Sequence, residues 1–205
     1  MATGAPEYYE SNFISRRWRA NLVKMVRRLM RPGWESLSHL DVGVGDGYTV
    51  RLLKPQGEVV GIDPDLDMQS LAASRGIDFR EGSAYGLPFP DATFGLITCI
   101  EVIEHLERPF EGLAEVRRVL APGGFAIITT PVPKASWRLL WWGWTTFGPG
   151  KKWKHTPHVA DVDLWDGSST ADGLDSMLRR IGMRIEASDR CNLGFIAGAR
   201  ISEVQ

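Results

Sequence analysis

The sequence predicts an α/β protein built around a mainly parallel sheet. Between residues 38 and 130, short apolar segments rich in β-branched residues alternate with segments of helical period. The predicted strands are 38–42, 58–63, 77–81, 94–100 and 125–130. Their near-continuous apolar character is typical of strands that are covered on both faces. Strands that alternate with helices in this way indicate βαβ units with right-handed crossovers.

Helix-breaking residues mark the ends of the predicted helices. The helix at 48–54 ends at Pro55, the helix at 66–75 ends at Gly76, and the helix at 110–120 ends at an Ala-Pro-Gly-Gly turn. Outside this block the pattern predicts two more helices and two more strands, at 12–30, 170–181, 184–188 and 193–199. The chain therefore supplies both a parallel core and additional strands that extend it.

Length and composition predict one domain. The chain has 205 residues, enough for a single domain with a full hydrophobic core over 1–205. Hydrophobic residues make up 43% and charged residues 24%, which excludes a disordered or fibrous chain. We expect four parts in order, a helical cap, a core, an insertion, and a C-terminal helix with strands, at 1–35, 36–131, 132–168 and 169–205.

Charge and cysteine content narrow the functional classes. The 24 basic and 25 acidic residues give a net charge of −1, so a nucleic-acid partner is not expected. The two cysteines, Cys99 and Cys191, exclude a disulfide scaffold, and the polar start of the chain does not resemble a secretory signal. A cytoplasmic location is expected. The predicted helix at 12–30 is basic, which we interpret as a solvated face over the core, with a patch for an anionic substrate or a membrane surface as the alternative.

The most informative segment is a glycine-rich loop, Leu40-Asp41-Val42-Gly43-Val44-Gly45-Asp46-Gly47, which follows a predicted strand and opens a helix. Glycines at alternate positions permit positive φ and let a ligand approach the backbone closely. The N–H groups of such a loop can face a polar or anionic group. Asp63 ends the next strand, where its carboxylate can accept hydrogen bonds from two ribose hydroxyls. Loop and carboxylate together predict an adenosine-containing ligand.

The glycine spacing separates the candidate ligands. A nicotinamide dinucleotide would favour G-x-G-x-x-G, which needs glycine where Tyr48 stands. Asp41, at the mouth of the first strand, suits a ligand that carries an amino group, and this favours S-adenosylmethionine. Two alternatives stay open: an NAD(P)-dependent oxidoreductase on the same sheet, and a non-catalytic S-adenosylmethionine-binding module.

A longer set of motifs resembles one known family. The segments LDVGVGDG, VVGIDPD, GSAYGLPFPDATFGLI, CIEVIEHLERP and VRRVLAPGGFAIITTP follow in register from about 37 to 131, and the likeness continues loosely to 199. They resemble class I S-adenosylmethionine-dependent methyltransferases, in particular the group with quinone-biosynthesis and natural-product enzymes. The resemblance implies a Rossmann-like, seven-stranded, mostly parallel sheet with helices on both faces and the last strand antiparallel.

The resemblance also implies a role for individual residues around the cofactor. They are Asp41, Gly43, Gly45 and Gly47 at the methionine end, Asp63 at the ribose, Pro64, Asp65, Ser83 and Ala84 near the adenine, and Cys99 and Ile100 beneath it. The family commonly has Asp where this chain has Ser83, so a charged acceptor for the adenine amino group is missing. Alternatives remain for three of them, because Cys99 and Ile100 suit a plain core and Asp65 suits a helix N-cap.

Glu101, Glu104 and His105 are the catalytic candidates. At spacing i, i+3, i+4 they would share one face of a helix and could hold a divalent metal, completed by His155 or His158. That arrangement resembles the metal site of small-RNA 2′-O-methyltransferases and some quinone O-methyltransferases. The alternative is a site without metal in which His105 acts as the general base.

Five of the eight tryptophans fall between Trp137 and Trp153, in a segment that also contains Gly, Pro and Lys. We interpret it as a lid over an apolar or aromatic small-molecule acceptor. Contact with a membrane interface is the second interpretation and a dimer contact the third. The predicted reaction is in-line transfer of a methyl group to an O, N or C atom of that acceptor.

Overall fold

The computed structural model describes residues 13–131, 174–194 and 196–204. Within them, seven strands form one sheet in the order β3-β2-β1-β4-β5-β7-β6. The strands are β1 His39–Val42, β2 Val59–Asp63, β3 Ile77–Glu81, β4 Phe94–Ile100, β5 Leu120–Pro131, β6 Met183–Cys191 and β7 Ile196–Glu203. β7 pairs antiparallel with both β5 and β6, whereas β1 to β5 pair in parallel. The predicted sheet, with its last strand antiparallel, is confirmed.

Helices cover both faces of this sheet. They are α1 Phe13–Leu29, α2 Tyr48–Leu53, α3 Gln69–Ser74, α4 Pro109–Val119 and α5 Leu174–Arg180. Leu113 of α4 and Met177 of α5 share one buried cluster with alternate residues of β1, β4 and β5. Leu22 and Met25 of α1 share the cluster on the opposite face with Phe125. Because β4 and β5 contribute side chains to both clusters, their apolar runs are continuous, as the sequence indicated.

The topology places the crevice of the sheet at β1. Val42, the last residue of β1, pairs with Ile62 of β2 on one side and with Cys99 of β4 on the other. The strand order reverses at this point, since the chain passes from β1 to β2 and β3 in one direction and returns to β4 in the other. Ligands of open α/β sheets bind at such a switch point, outside the carboxyl ends of the strands.

Several predicted boundaries differ from the structure. The helix predicted at 66–75 divides into a 3-10 turn at Leu66–Met68 and the shorter α3. β5 begins at Leu120 instead of 125, and the register between β4 and β5 shifts where the Ala-Pro-Gly-Gly segment bulges. The final strand begins later than predicted, because three successive residues at 192–194 have positive φ and form a turn.

Some expectations fall outside the described residues. The tryptophan-rich insertion at 132–168, with its lid and membrane interpretations, is among them, as are His155 and His158. In the described ranges, no helix combines the length and apolar character needed to cross a bilayer. Cys99 and Cys191 are both free and buried.

Candidate functional site

The glycine loop closes tightly over the end of β2. The N–H groups of Gly43 and Val44 both donate to the carbonyl of Ile62, at 2.7 and 3.0 Å. Gly43 has φ +72°, and a Cβ there would collide with the Val102 side chain. Glycine is therefore required at this position both by the backbone conformation and by the space.

Gly45 and Asp63 form the open side of the loop. A Cβ added at Gly45 would meet no described atom within 4 Å, so the loop leaves free space in front of this residue. The N–H of Gly45 donates to one oxygen of Asp63 at 2.8 Å, and the N–H of Asp65 donates to the other at 2.9 Å. These bonds fix the carboxylate plane, and each oxygen keeps a further lone pair for a ligand.

A second set of contacts holds the loop against α3. The Arg75 guanidinium donates to the Asp46 carbonyl at 2.6 Å, lies 2.8 Å from the Asp46 carboxylate, and stacks over the Tyr48 ring at 5.3 Å. The carboxylate of Asp46 also accepts from the N–H of Tyr48 at 2.9 Å. The loop is thus tied to α2 and α3, which keeps its N–H groups in place before a ligand arrives.

Asp41 lies beneath the loop in a polar chain within the sheet. Its carboxylate accepts a hydrogen bond from Thr98 on β4, and Thr98 in turn contacts His39 at 2.8 Å. Burial raises the pKa of Asp41 to about 7; the Thr98 hydrogen bond lowers it and the nearby Asp63 charge raises it. A cation that approaches a buried carboxylate strongly stabilises its ionised form.

The predicted adenine side follows β2 and β3. Pro64 is exposed, and Asp65 accepts from the N–H of Asp67 at 3.1 Å, so it does act as an N-cap. Ser83 is exposed in a turn and accepts from the N–H of Tyr85 at 3.2 Å. Leu66, which the sequence analysis did not single out, is 51% exposed directly after the Asp63 strand end. A large apolar side chain beside a polar strand end is the signal that could have identified it.

The remaining predicted contact residues are more enclosed. Ala84 is half-buried and packs against the α4 side of the core. Cys99 is buried in the same core, and burial followed by the Glu104 charge raises the pKa of its thiol. Ile100 is half-buried against the α1 side. Gly47 has φ +73° and precedes α2, as expected for the residue that completes the loop.

Glu101, Glu104 and His105 do not lie on one helix, which the shared-face arrangement would require. The structure has a single 3-10 turn at Ile103–His105, and Glu101 stands before it with φ +56°. The N–H of Glu101 donates instead to Thr129 of β5, so the chain leaves β4 along the sheet and not as a helix. Among the described residues, no three His, Cys, Asp or Glu side chains are grouped as metal ligands would be.

These three side chains nevertheless have distinct electrostatic environments. Glu104 is 5% exposed, and one of its oxygens finds no hydrogen-bond partner within the part of the chain described. Burial, followed by the Glu101 charge, raises the pKa of Glu104 well above its ordinary value. Desolvation lowers the pKa of His105, an effect that the Glu101 charge opposes.

The amino-terminal helix α1 borders the site. Arg19 donates to the hydroxyl of Thr49 at 2.9 Å and lies 3.5 Å from the Glu101 carboxylate. Arg27 donates to two carbonyls at the end of α2, and Arg28 pairs with Asp189 of β6 at 2.7 Å. These contacts favour the interpretation that the basic helix packs over the core.

Residues 40–128 match a family model described as a methyltransferase domain. This segment contains β1 to β4, the glycine loop, Asp63 and most of β5. This part of the chain is similar to a methyltransferase domain. Its relatives include a demethylmenaquinone methyltransferase of Deinococcus radiodurans, 38% identical over 116 residues that cover 50% of this chain and 48% of the relative.

Two further comparisons extend beyond residues 40–128. A Mycolicibacterium smegmatis protein named "Probable S-adenosylmethionine-dependent methyltransferase" is 29% identical over 169 residues, 80% of this chain and 57% of its own length. This chain therefore spans about half the length of these two curated relatives. The structure of an S-adenosylmethionine-dependent methyltransferase from Thermotoga maritima shares the fold, with a TM-score of 0.69 and 18% identity over 97% of this chain and 96% of that one.

The residues around the glycine loop fit S-adenosylmethionine. The free space at Gly45 is a cradle that a Cβ would fill, and Asp63 presents two fixed oxygens beside it. Asp41, close enough for its pKa to respond to the Asp63 charge, offers a carboxylate suited to an ammonium group. The donor set therefore matches a nucleoside joined to an amino acid.

Proposed function

We propose that this protein transfers a methyl group from S-adenosylmethionine to a small, apolar or aromatic acceptor. The observation that carries the proposal is the position of Asp63, whose oxygens are fixed by the N–H groups of Gly45 and Asp65 next to the open side of the loop. Two parallel, fixed oxygens suit the two adjacent hydroxyls of a ribose. The matching family model and the named relatives support the same activity.

In this proposal the chain's own residues bind and align. S-adenosylmethionine supplies an electrophilic methyl group, which the acceptor atom takes by in-line displacement. Asp63 holds the ribose, Asp41 holds the amino group, and the loop N–H groups face the polar end of the methionine part. Leu66 and Ser83 border the adenine, with Leu66 supplying apolar surface and the Ser83 hydroxyl a polar contact. Alignment of the reacting atoms in a dry pocket accounts for much of the rate.

The acceptor class is a proposal that rests on one relative and on the site itself. The Deinococcus radiodurans relative is a demethylmenaquinone methyltransferase, which suggests an apolar ring system. Ile100 is half-buried at the carboxyl end of β4, and the buried carboxyl of Glu104 follows in the next turn. A mostly apolar surface with one carboxyl suits a ring that bears an ionisable hydroxyl or an acidic carbon.

Asp63→Ala is expected to weaken binding of S-adenosylhomocysteine by about 10- to 100-fold, because hydrogen bonds to a charged group are worth about 1.5–3 kcal/mol. Isothermal calorimetry with the demethylated product measures this without any acceptor. Asp78→Ala is the matched control, since Asp78 pairs with Arg80 on the exposed edge strand and lies outside the crevice.

Three calorimetric results would contradict the proposal. Unchanged affinity in Asp63→Ala would remove the ribose assignment. Absence of heat with both S-adenosylmethionine and S-adenosylhomocysteine would remove the cofactor. Binding of NAD in their place would favour the oxidoreductase. A screen of labelled methyl transfer to naphthol, phenol, amine and RNA acceptors, with and without chelator, then tests the acceptor class and the role of metal.

We assign proton removal from the acceptor to Glu104. Its carboxyl is buried, has an oxygen without a described partner, and lies beside Glu101, which Arg19 binds from α1. A carboxyl that is costly to ionise in the folded state makes a stronger base than an exposed one. Arg19 and Glu101 then form the charged rim of the same pocket.

Glu104→Gln is expected to lower kcat with the acceptor found in the screen by about 100-fold, while cofactor affinity changes little. The same substitution should raise the free energy of unfolding at about pH 8 by about 1–3 kcal/mol, because burial raises the pKa of Glu104 and makes this carboxyl costly to the folded state above its unfolded pKa. Glu107→Gln is the control, an exposed glutamate three residues along the chain. Loss of stability in Glu104→Gln, or full activity, would contradict the assignment.

A further inference from the structure

A buried chain of three polar side chains crosses from β1 to β4 beneath the glycine loop. His39, Thr98 and Asp41 are 2%, 0% and 4% exposed. The ring Nε2 of His39 lies 2.8 Å from the Thr98 hydroxyl, and the hydroxyl donates to the Asp41 carboxylate at 2.5 Å. The strand register explains this proximity, since Asp41 pairs directly with Thr98 and His39 lies two residues earlier on the same face.

The direction of the hydrogen bonds follows from the number of protons. A hydroxyl has one proton, and Thr98 gives it to the carboxylate. Thr98 must therefore accept from His39, which requires the Nε2–H tautomer. The other ring nitrogen, Nδ1, then carries a lone pair, and it finds no hydrogen-bond partner among the described residues. Burial lowers the pKa of His39 to about 4, so the ring is neutral near pH 7.

We propose that Thr98 and His39 are positioning residues, which orient the Asp41 carboxylate toward the amino group of S-adenosylmethionine. This inference rests on the proposed function and concerns the same site. The Thr98 hydroxyl occupies one carboxylate oxygen and leaves the other for the ligand. His39 fixes the hydroxyl itself, because its N–H fills one lone pair of Thr98 and directs the proton to Asp41.

The hydrogen-bonded row of His39, Thr98 and Asp41 also makes the affinity for the cofactor depend on pH. An ammonium group binds the carboxylate and not the carboxylic acid, so affinity falls as Asp41 takes up a proton. Burial raises the pKa of Asp41 to about 7, and the Thr98 hydrogen bond opposes this rise. The Asp63 charge also raises the pKa of Asp41, and the Asp41 charge in turn raises the pKa of the Cys99 thiol on β4.

Protonation of Asp41 has a visible consequence at His39. A protonated Asp41 can donate to Thr98, and the Thr98 hydroxyl can then donate to the Nε2 atom of His39. The ring would change from the Nε2–H to the Nδ1–H tautomer. The ¹⁵N chemical shifts of His39 distinguish these tautomers. They therefore report which way the hydrogen bonds between His39, Thr98 and Asp41 run in the ligand-free protein.

Thr98→Val tests the proposal, because valine keeps the branched shape in the strand and removes the hydroxyl. Calorimetry with S-adenosylhomocysteine from pH 6 to 9 should show about tenfold weaker binding at pH 7 in this variant. The midpoint of the pH dependence should move upward by about one pH unit, since the carboxylate loses a donor. Thr98→Ser is the matched control and should keep the wild-type profile.

The outcomes separate this inference from the proposed function. If the wild type does not bind S-adenosylhomocysteine at any pH, the proposed function fails. If it binds and Thr98→Val has the wild-type affinity and pH profile, the positioning role is wrong. If Thr98→Val does not fold, two measurements on the wild-type protein still test the inference. It is overturned if His39 is in the Nδ1–H tautomer at pH 8.5, or if the affinity for S-adenosylhomocysteine does not change between pH 6 and 9.

Discussion

Replacing Asp41 with asparagine is expected to make the protein more stable and its cofactor site weaker. The Asp41 carboxyl is buried within the sheet, and burial raises its pKa to about 7. Ionised Asp41 is therefore costly in the folded state, whereas the same group ionises freely near pH 4 in the unfolded chain. Asparagine keeps the size of the side chain and an acceptor for Thr98, but it carries no charge.

The sign of the pH effect follows from proton uptake. Between about pH 4 and 7 the folded state holds a proton on Asp41 that the unfolded state has lost, so Asp41 lowers stability as pH rises through this window. A difference of about three pKa units corresponds to about 4 kcal/mol as an upper bound. We expect Asp41→Asn to gain about 2–4 kcal/mol over wild type at pH 8 and little at pH 4.

Urea unfolding at several pH values measures the stability, and calorimetry with S-adenosylhomocysteine measures the binding. Binding should weaken by about 100-fold, because a charge-assisted hydrogen bond to the amino group is lost. Asp78→Asn removes an equal charge from an exposed position and should change neither quantity appreciably. An Asp41→Asn protein that is less stable than wild type at pH 8 would show that the carboxylate is structural.

Asp41 and Glu104 share a pattern that a purely structural residue would not show. Both are carboxyls whose burial raises the pKa; Asp41 lies in β1, and Glu104 lies in the turn that follows β4. Selection for stability alone would replace such groups with neutral ones. Their presence near the carboxyl ends of β1 and β4 is explained if a ligand or an acceptor compensates the energetic cost of their charge.

The sequence predicted those features that depend on local pattern. Strand runs, the glycine loop and the strand-end Asp63 each have a signature within a few residues, and the structure has all of them. The length of β5 was underestimated, because the Pro-Gly-Gly segment that usually ends a helix can also bulge within a strand when β4 pairs with it. Tertiary pairing decided this boundary, and the local sequence does not encode it.

The contact between His39 and Thr98 beneath the glycine loop likewise depends on tertiary pairing that the local sequence does not encode. His39 and Thr98 are 59 positions apart, and each looks ordinary in its own strand. They meet because β1 and β4 pair in parallel although they are not consecutive in the chain. The i, i+3, i+4 spacing of Glu101, Glu104 and His105 does not lead to a shared helical face, because Glu101 has a positive φ and its N–H donates to Thr129.

The carboxyl end of α1 is fixed to the sheet by a charged cluster around Glu186. Glu186 on β6 accepts from Arg31 and Ser202 at 2.7 Å and from Arg200 at 2.9 Å. Arg200 also donates to the carbonyl of Leu29, the last residue of α1. Burial alone would raise the pKa of Glu186, but these hydrogen bonds and the Arg31 charge lower it to about 2.

Glu186→Gln is expected to destabilise the protein by about 2–3 kcal/mol at pH 7, since the depressed pKa corresponds to at most about 3 kcal/mol. The contribution of Glu186 is fully present above its unfolded pKa and is lost as pH falls from about 4.5 toward 2, so the difference between the variant and wild type should shrink in that window. Urea unfolding between pH 3 and 7 measures it. Asp189→Asn, which removes the half-buried partner of the exposed Arg28 side chain, should cost less than about 1 kcal/mol.

Glu186→Gln also tests whether the Glu186 cluster holds α1 in place beside the candidate site. Arg19, nearer the start of that helix, binds Thr49 and Glu101 at the rim of the crevice. If the Glu186 cluster holds the helix in place, Glu186→Gln should speed hydrogen exchange in α1 more than in β1 and β4, while binding of S-adenosylhomocysteine at the glycine loop changes little. Uniform acceleration over the whole sheet would instead mean that the cluster stabilises the fold globally and leaves the helix no separate role.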